Sequence, residues 1–569
     1  MTIADYLDQC DRQFDEVLGL LRREHQVRHY HIGLPLGTPV HSLSDSMTYA
    51  INVFRHGPER HLNRARRIVE VVLGFQDKVP TSRTYGVWPM LVEEPLAAMP
   101  AVDFNFADFI GSQVLHLLHA HGKLLPYALI NALREAAGHA AWSIFRRNVT
   151  PSYSNICLSG GVLATAVGEL LNDPRLLGYG RQRLQDMLHH YRATGGFQEY
   201  NSPTYTWFSK SWAEWGLLYL RDQPARTALQ GLCRGLWHEL AEHFHPATGQ
   251  FVGPVSRAYH NWLEPDLVRQ LRDTTSADIR GRGEIPRDAS PGSLLDYLKP
   301  LPCPADLAPR FKALPSAELE THHRYVVQAE EANSVCGTTW FGGDACLGSV
   351  NHDNVWYQRR AVLGYWRTEE DPAVMLRVRF LRDGQDFASA YFTTVQRGPR
   401  LLLQATLLTD KGDWHDHIDR PAVAGRFEAE DFRLRCELTG QGAKGRKLEG
   451  GNFELSAGGY RAIVHPVAGV FGEKEFAWKL EKGTQEELPM VAADAVCYHG
   501  KKQVFQFQEL AEIVLGVGLE LLPEGEAPTP AAPAIERLGT DRVRLTWDVG
   551  SELSVTGPRQ AVPYAHEHA

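Results

Sequence analysis

Residues 194–215 read TGGFQEYNSPTYTWFSKSWAEW. Gly195-Gly196 break the helical run before them and Pro203 restricts the backbone, so Glu199, Tyr200, Asn201 and Tyr205 are expected in a connection from which polar groups point into a cavity. A carboxylate, two tyrosines, an asparagine and several aromatics between helical segments have the make-up of the floor of a sugar site.

Working outward, the period on both sides is helical from the N-terminus to about residue 300. Tyr6–Glu24, Arg60–Gln76, Phe106–His121, Pro126–Arg146, Asn155–Leu171, Gly180–Tyr191, Ser209–Leu220 and Ala225–Phe244 each repeat apolar residues at steps of three and four. Pro126 and Pro224 fit helix starts, and Gly122, Gly195 and Gly249 fit stops. Helices of similar length on short connections suit a solenoid or a closed ring of helical hairpins, and the lack of a tetratricopeptide or ankyrin repeat favours a divergent (α/α) toroid, incomplete or of six hairpins. From about 265 to 320 the charged run Arg280–Arg287, Pro291-Gly292 and the proline-rich Lys299–Pro309 predict a long connection. Beyond it, short β-branched and aromatic runs separated by turn residues, among them Ala361–Trp366, Val374–Phe380, Ser389–Val395, Leu401–Leu407 and Tyr460–Val464, predict an antiparallel β-sandwich. Glu524–Pro533 reads as a linker, and Val543–Trp547 as a strand added to the sheet edge. The expected class is therefore α+β multidomain, with a helical toroid over 1–310 and a sandwich over 320–569.

Composition narrows the function. A chain of 569 residues, 43% hydrophobic and 22% charged, has the apolar material for more than one core. Its net charge of -9 provides no basic footprint for nucleic acid. The N-terminal Met1-Thr2-Ile3-Ala4-Asp5 leads into an amphipathic helix without the features of a signal peptide, and no run reads as a membrane span. Eight cysteines scattered without CxxC pairs suit reduced thiols. Together these predict a cytoplasmic protein without nucleic-acid or membrane partners.

Several groups can carry chemistry. Asn155 opens a helix in PSYSNICLSGG, where Gly160-Gly161 permit a close approach by a backbone or a ligand; its alternative part is a helix cap. Glu199 is either a site carboxylate or a structural partner of an arginine, and Tyr205 either a site hydroxyl or core. His352, beside Asp353 in GSVNHDNVWYQRR, is a candidate base or a turn histidine. Arg257, Tyr259, His260 and Trp262 have the residue types of a saccharide subsite, with His260 a second candidate acid/base and interdomain packing the competing reading. Arg359 joins Arg257 as a substrate contact, and Arg257, Arg359 and Arg360 are the cations available to a tyrosine acting as base. His415 and His417 in DWHDHIDR place two imidazoles on one strand face, a spacing compatible with a structural zinc or other divalent metal.

The order of these groups resembles the heparinase II/III-like and alginate-lyase-like polysaccharide lyases, which join an (α/α) toroid to an antiparallel β-sandwich. GGFQEYNSPTY looks like the family's glycine-rich turn leading to an acidic residue and then a catalytic tyrosine, which implies that role for Tyr205. Asn155 matches the asparagine that neutralises the substrate carboxylate, and His352 the histidine of the sheet domain. The family often carries histidine after that asparagine, where this chain has Ile156. The resemblance implies β-elimination on an acidic, uronate-containing oligo- or polysaccharide, without an organic cofactor. A base removes the C5 proton, an acid protonates the leaving oxygen, and the substrate carboxylate is neutralised as charge develops. Two other classes compete. A glycoside hydrolase would pair Glu199 with Asp103, Asp108 or Asp45; a non-catalytic carbohydrate-binding protein would keep the aromatics and release no product.

Overall fold

A computed structural model describes residues 2–27, 29–283, 285, 300–415 and 425–564. The chain divides into two compact units, one made chiefly of Met1–Ala193 and Trp207–Leu236, the other of Thr194–Thr206, Trp237–Ile285 and Cys303–Ala569.

The N-terminal half is helical. Helix α1 spans Ile3–Gln13, α2 Leu43–His56, α3 Leu62–Gly74, α4 Phe106–His121, α5 Tyr127–Arg147, α6 Ser154–Leu171, α7 Pro174–Thr194, α8 Pro203–Tyr219, α9 Gln223–His243 and α10 Pro265–Thr275. Local chemistry sets their ends. Thr2 and Asp5 form a capping box on α1, and the Ser42 side chain accepts the Asp45 N–H at the start of α2. Asn148 and Asn172 stop α5 and α6 in the left-handed region.

Three helical expectations need correction. The run expected over Tyr6–Glu24 ends at Gln13, because Gly19 at φ +73° turns the chain and Phe14–Asp15 pairs with Leu20–Leu21. Asp15 Oδ1 accepts the Val17 N–H at 2.7 Å and holds that turn. The connection expected from about 265 begins instead with α10, whose Pro265 occupies the first turn; part of Arg280–Arg287 and Pro291-Gly292 lie outside the described residues. Finally, Ser154–Leu171 is long and apolar enough to cross a membrane by length and composition, and most of it is buried inside the protein. Its small residues serve packing: a Cβ on Gly160 would lie 2.8 Å from Arg183 Nη2, and one on Gly161 2.9 Å from Leu184 Cδ2.

The C-terminal half is antiparallel sheet, so the chain has the expected class of a helical domain followed by a β-sandwich. One sheet orders Trp478–Gln485, Leu488–Gln506, Arg426–Thr439, Val374–Arg382, Val362–Trp366, Ala345–Val350, Val335–Phe341 and Leu319–Val326. The other orders Lys444–Lys447, Phe453–Ala457, Tyr460–Phe471, Ile513–Pro523, Arg400–Leu407, Ala390–Arg397 and His352–Val355. Both contribute to one apolar core, with Trp366, Phe380 and Leu438 from the first and Phe392, Leu403 and Leu519 from the second. Val543–Trp547 does not extend either edge. It lies in Arg542–Asp548, the middle strand of a separate three-stranded sheet with Ala534–Leu538 and Glu552–Pro558. There Leu545 and Trp547 bury against Leu402.

Candidate active site

The stretch 197–206 is fixed mainly by polar contacts to 252–257. Gly195 at φ +81° follows the end of α7, and Asn201 at φ 46° takes a left-handed conformation that asparagine tolerates. The Asn201 side chain donates to the carbonyls of Val252 and Pro254. Its N–H donates to Glu239 Oε1 at 2.6 Å, and Thr206 Oγ1 donates to the same oxygen at 3.3 Å. Burial pushes the Glu239 carboxyl up to about 8. Ser256 donates twice to the Tyr200 carbonyl, from N at 3.1 Å and Oγ at 2.8 Å.

Ser202 then starts α8. Its Oγ accepts the Tyr205 N–H at 3.1 Å, an N-cap type of bond, and donates to the Arg257 carbonyl at 2.6 Å. Tyr205 therefore sits in the first turn of a helix and not in the expected connection.

At that turn four side chains converge. Arg257 donates through Nη2 to the Tyr205 hydroxyl at 3.1 Å, through Nη1 to Glu199 Oε1 at 2.9 Å, and through Nε to Gln358 Oε1 at 3.0 Å. The guanidinium carbon lies 4.3 Å from the centre of the Tyr205 ring. On its other side the Tyr205 hydroxyl lies 2.7 Å from that of Tyr259. Exposure is graded: Gln358 is fully buried, Glu199 and Arg257 are nearly so, Tyr205 is half-buried and Tyr259 is exposed. The Tyr205 hydroxyl thus lies between a nearly buried cation and the hydroxyl of an exposed tyrosine. An oxyanion formed on that oxygen would be stabilised by the guanidinium, whose own charge is balanced by Glu199.

The other candidates have different surroundings. Tyr200 is buried, with its ring stacked on Tyr325 at 4.0 Å and its hydroxyl donating to Asp353 Oδ2 at 3.4 Å. Asn201 is buried under the bonds described above. Both hold the stretch in place. His352 begins the strand His352–Val355; its buried ring stacks on Tyr391 at 6.2 Å, and Nε2 lies 3.2 Å from the Ala332 carbonyl. Arg359 forms an ion pair with buried Asp353 and donates to Asn354 Oδ1 at 2.6 Å; Tyr564 also donates to Asp353, at 3.2 Å. His260 is exposed beside Glu264 at 3.4 Å. Trp262 donates from Nε1 to the Ala373 carbonyl at 2.7 Å, under the Arg282 guanidinium. His415 is buried, its ring 5.0 Å from that of Trp356, whereas His417 lies outside the described residues. Among the described residues no group of three histidine, cysteine or acidic side chains is arranged to hold a metal ion.

Asn155 belongs to the helical unit. It is the second residue of α6 and buried, with Tyr153 at the helix cap position. Nearby in that unit Ser159 Oγ donates to Asp108 at 3.2 Å, and burial pushes the Asp108 carboxyl up to about 6. Arg183 donates to the carbonyls of Ile156 at 2.7 Å and Cys157 at 2.8 Å, so the close approach permitted by Gly160-Gly161 is made by a side chain of α7. Of the hydrolase carboxylates, Asp103 is buried within 3.7 Å of His31 and Asp45 is paired with Arg23 at the surface.

Sequence reasoning offered Arg257 both as a substrate contact and as a cation for Tyr205, and the structure sets it against Tyr205. It missed Gln358 and Glu239 altogether. Gln358 stands in the quoted GSVNHDNVWYQRR stretch without a role assigned to it, Glu239 lies in no motif, and their contacts join segments 101 and 38 residues apart in sequence.

Residues 3–265 match the family described as Domain of unknown function (DUF8769). That span ends at the start of α10. No curated protein matches the chain. Among solved structures, a heparinase III is similar over 90% of this chain and 82% of its own, at 10% identity and a TM-score of 0.39. The Streptomyces coelicolor A3 chondroitin AC lyase in complex with chondroitin sulphate is similar over 89% of this chain and 83% of its own, at 10% identity and a TM-score of 0.42.

Proposed function

We propose that the chain is a lyase that cleaves a uronate-containing oligo- or polysaccharide by β-elimination, with Tyr205 as the acid/base. The observation that carries this reading is the Arg257 guanidinium, which donates to the Tyr205 oxygen and stacks on its ring. A free tyrosine ionises near about 10 and is a poor base at neutral pH; a cation in contact with the oxygen favours the phenolate.

In the reaction the Tyr205 phenolate takes the proton at C5, next to the uronate carboxylate. The electron pair released forms the C4–C5 double bond as the C4–O bond breaks, and the leaving oxygen takes a proton from the Tyr205 hydroxyl. Glu199 and Gln358 hold Arg257 in the orientation that serves Tyr205. Asn155 is assigned to the substrate carboxylate, and His352 is the alternative base; both assignments rest on the family resemblance.

The test is an ultraviolet assay for an unsaturated uronate across acidic glycans. Product should appear with the wild-type protein and be lost in Tyr205→Phe with its melting temperature preserved. Cleavage that releases reducing ends without ultraviolet absorbance would mean hydrolysis.

A further inference from the structure

The Tyr205 hydroxyl has a second neighbour that the proposed reaction leaves without a part. Tyr259 comes from a different segment, held in place by the Ala258 N–H donating to the Gln358 carbonyl at 2.7 Å. The two rings are 6.0 Å apart and inclined by 51°, whereas the two oxygens are 2.7 Å apart. The rings are in tilted contact, and the hydroxyls meet at an ordinary O–H···O distance.

Hydrogen counting leaves the neutral pair free to run either way and fixes its direction once Tyr205 is ionised. Arginine has only donors, so the Tyr205 oxygen accepts from Arg257. A neutral Tyr205 has one proton to give, and Tyr259 offers an acceptor for it. Once Tyr205 has lost that proton, its oxygen is acceptor-only and the bond to Tyr259 survives only if Tyr259 donates. Tyr259 is 48% exposed, whereas Tyr205 is half-buried, so of the two Tyr259 is the residue more open to solvent.

We propose that Tyr259 is a second catalytic tyrosine, which donates to the ionised Tyr205 oxygen and carries the Tyr205 proton to solvent. In the transfer the Tyr205 O–H bond breaks and its proton bonds to the Tyr259 oxygen. The proton already on Tyr259 passes to a water molecule or a dissolved buffer base. No atom changes oxidation state. The arrangement rests on Tyr205 being the acid/base of the reaction proposed above and adds the route by which the resting Tyr205 phenol is first ionised; within each turnover the leaving oxygen takes the proton and restores the phenolate.

Tyr259→Phe removes the donor and the route and leaves the ring. With an acidic glycan as substrate, the acid limb of the kcat/KM profile should move up by about one pH unit, and turnover at neutral pH should fall about tenfold with KM little changed. The ultraviolet tyrosinate titration of the substrate-free protein supplies a second readout. The ionisation that Tyr205→Phe deletes should move to higher pH in Tyr259→Phe. An unmoved acid limb, a change confined to KM, or an unmoved titration would overturn the proposal. Absence of turnover on any acidic glycan would sink the lyase reading, while the titration would still decide whether Tyr259 governs the ionisation of Tyr205.

Discussion

The first turn of α8 and the strand His352–Val355 each carry a residue whose type suits proton transfer, yet the fold treats them differently. Tyr205 stands half-buried with a guanidinium behind its oxygen and a second hydroxyl beside it. His352 is buried in a sheet, stacked on Tyr391, with a ring nitrogen near a carbonyl. Acid/base work needs a route for the proton and a neighbour that favours the reactive ionisation state. At Tyr205 the Arg257 guanidinium favours the phenolate and the Tyr259 hydroxyl is a partner for the proton, whereas the His352 ring packs on Tyr391. A side chain's surroundings, more than its type, decide which of two plausible residues is the better candidate.

The comparison breaks most sharply on activity. Tyr205→Phe should cost at least about a thousandfold in kcat with little loss of folding, near the upper part of the range for general acid–base groups; steady-state kinetics together with thermal melting check this. Next in size is the support beneath the strand. Asp353→Ala leaves Arg359 buried without its carboxylate and removes the acceptor for Tyr200 and Tyr564. Loss of one partner of a buried pair costs about 3–5 kcal/mol, and urea unfolding should show it.

Glu239 sharpens the account of how the 197–206 stretch is held. Its carboxyl is raised by burial to about 8 in the folded protein. The folded state therefore keeps a proton that the unfolded chain releases in the ordinary carboxylate range. The resulting stability is present below that range and lost as pH rises through about 8, with a slope of up to about 1.4 kcal/mol per pH unit from this group. Glu239→Gln should flatten that part of the urea stability profile; an unchanged slope would remove Glu239 as its source. The smallest effect is expected at His352: His352→Gln should stay within about tenfold of wild-type kcat, a prediction that follows from assigning the proton transfer to Tyr205. A loss as large as that of Tyr205→Phe would reverse the comparison.

Much of the fold was legible in local pattern. Phe106–His121 is a helix over the predicted range, and the strand starting at Val374 begins where alternation predicted. Local reading failed where a turn or tertiary pairing overrode periodicity. The apolar spacing of residues 14–24 suits a helix, but Gly19 and Asp15 fold them into a hairpin. The Val543–Trp547 strand was visible, whereas its sheet was not, because strand partners are chosen by side-chain burial across the fold. The site was legible in residue types alone. GGFQEYNSPTY singled out Tyr205 and Glu199, and RAYHNW singled out Arg257 and Tyr259; the two were joined only by the need of a tyrosine base for a cation, which Arg257, Arg359 and Arg360 met equally well.

The sequence by itself determined the change from helix to sheet and the residue types at the Tyr205 turn, since periodicity, caps and turn residues act over a few positions. Only the tertiary structure decided that Arg257, 52 residues along, donates to Tyr205 and that Tyr200 and Asn201 face the interior. Those outcomes depend on which carbonyls and carboxylates are left to satisfy when distant segments are buried together, a quantity with no short-range signature in the chain.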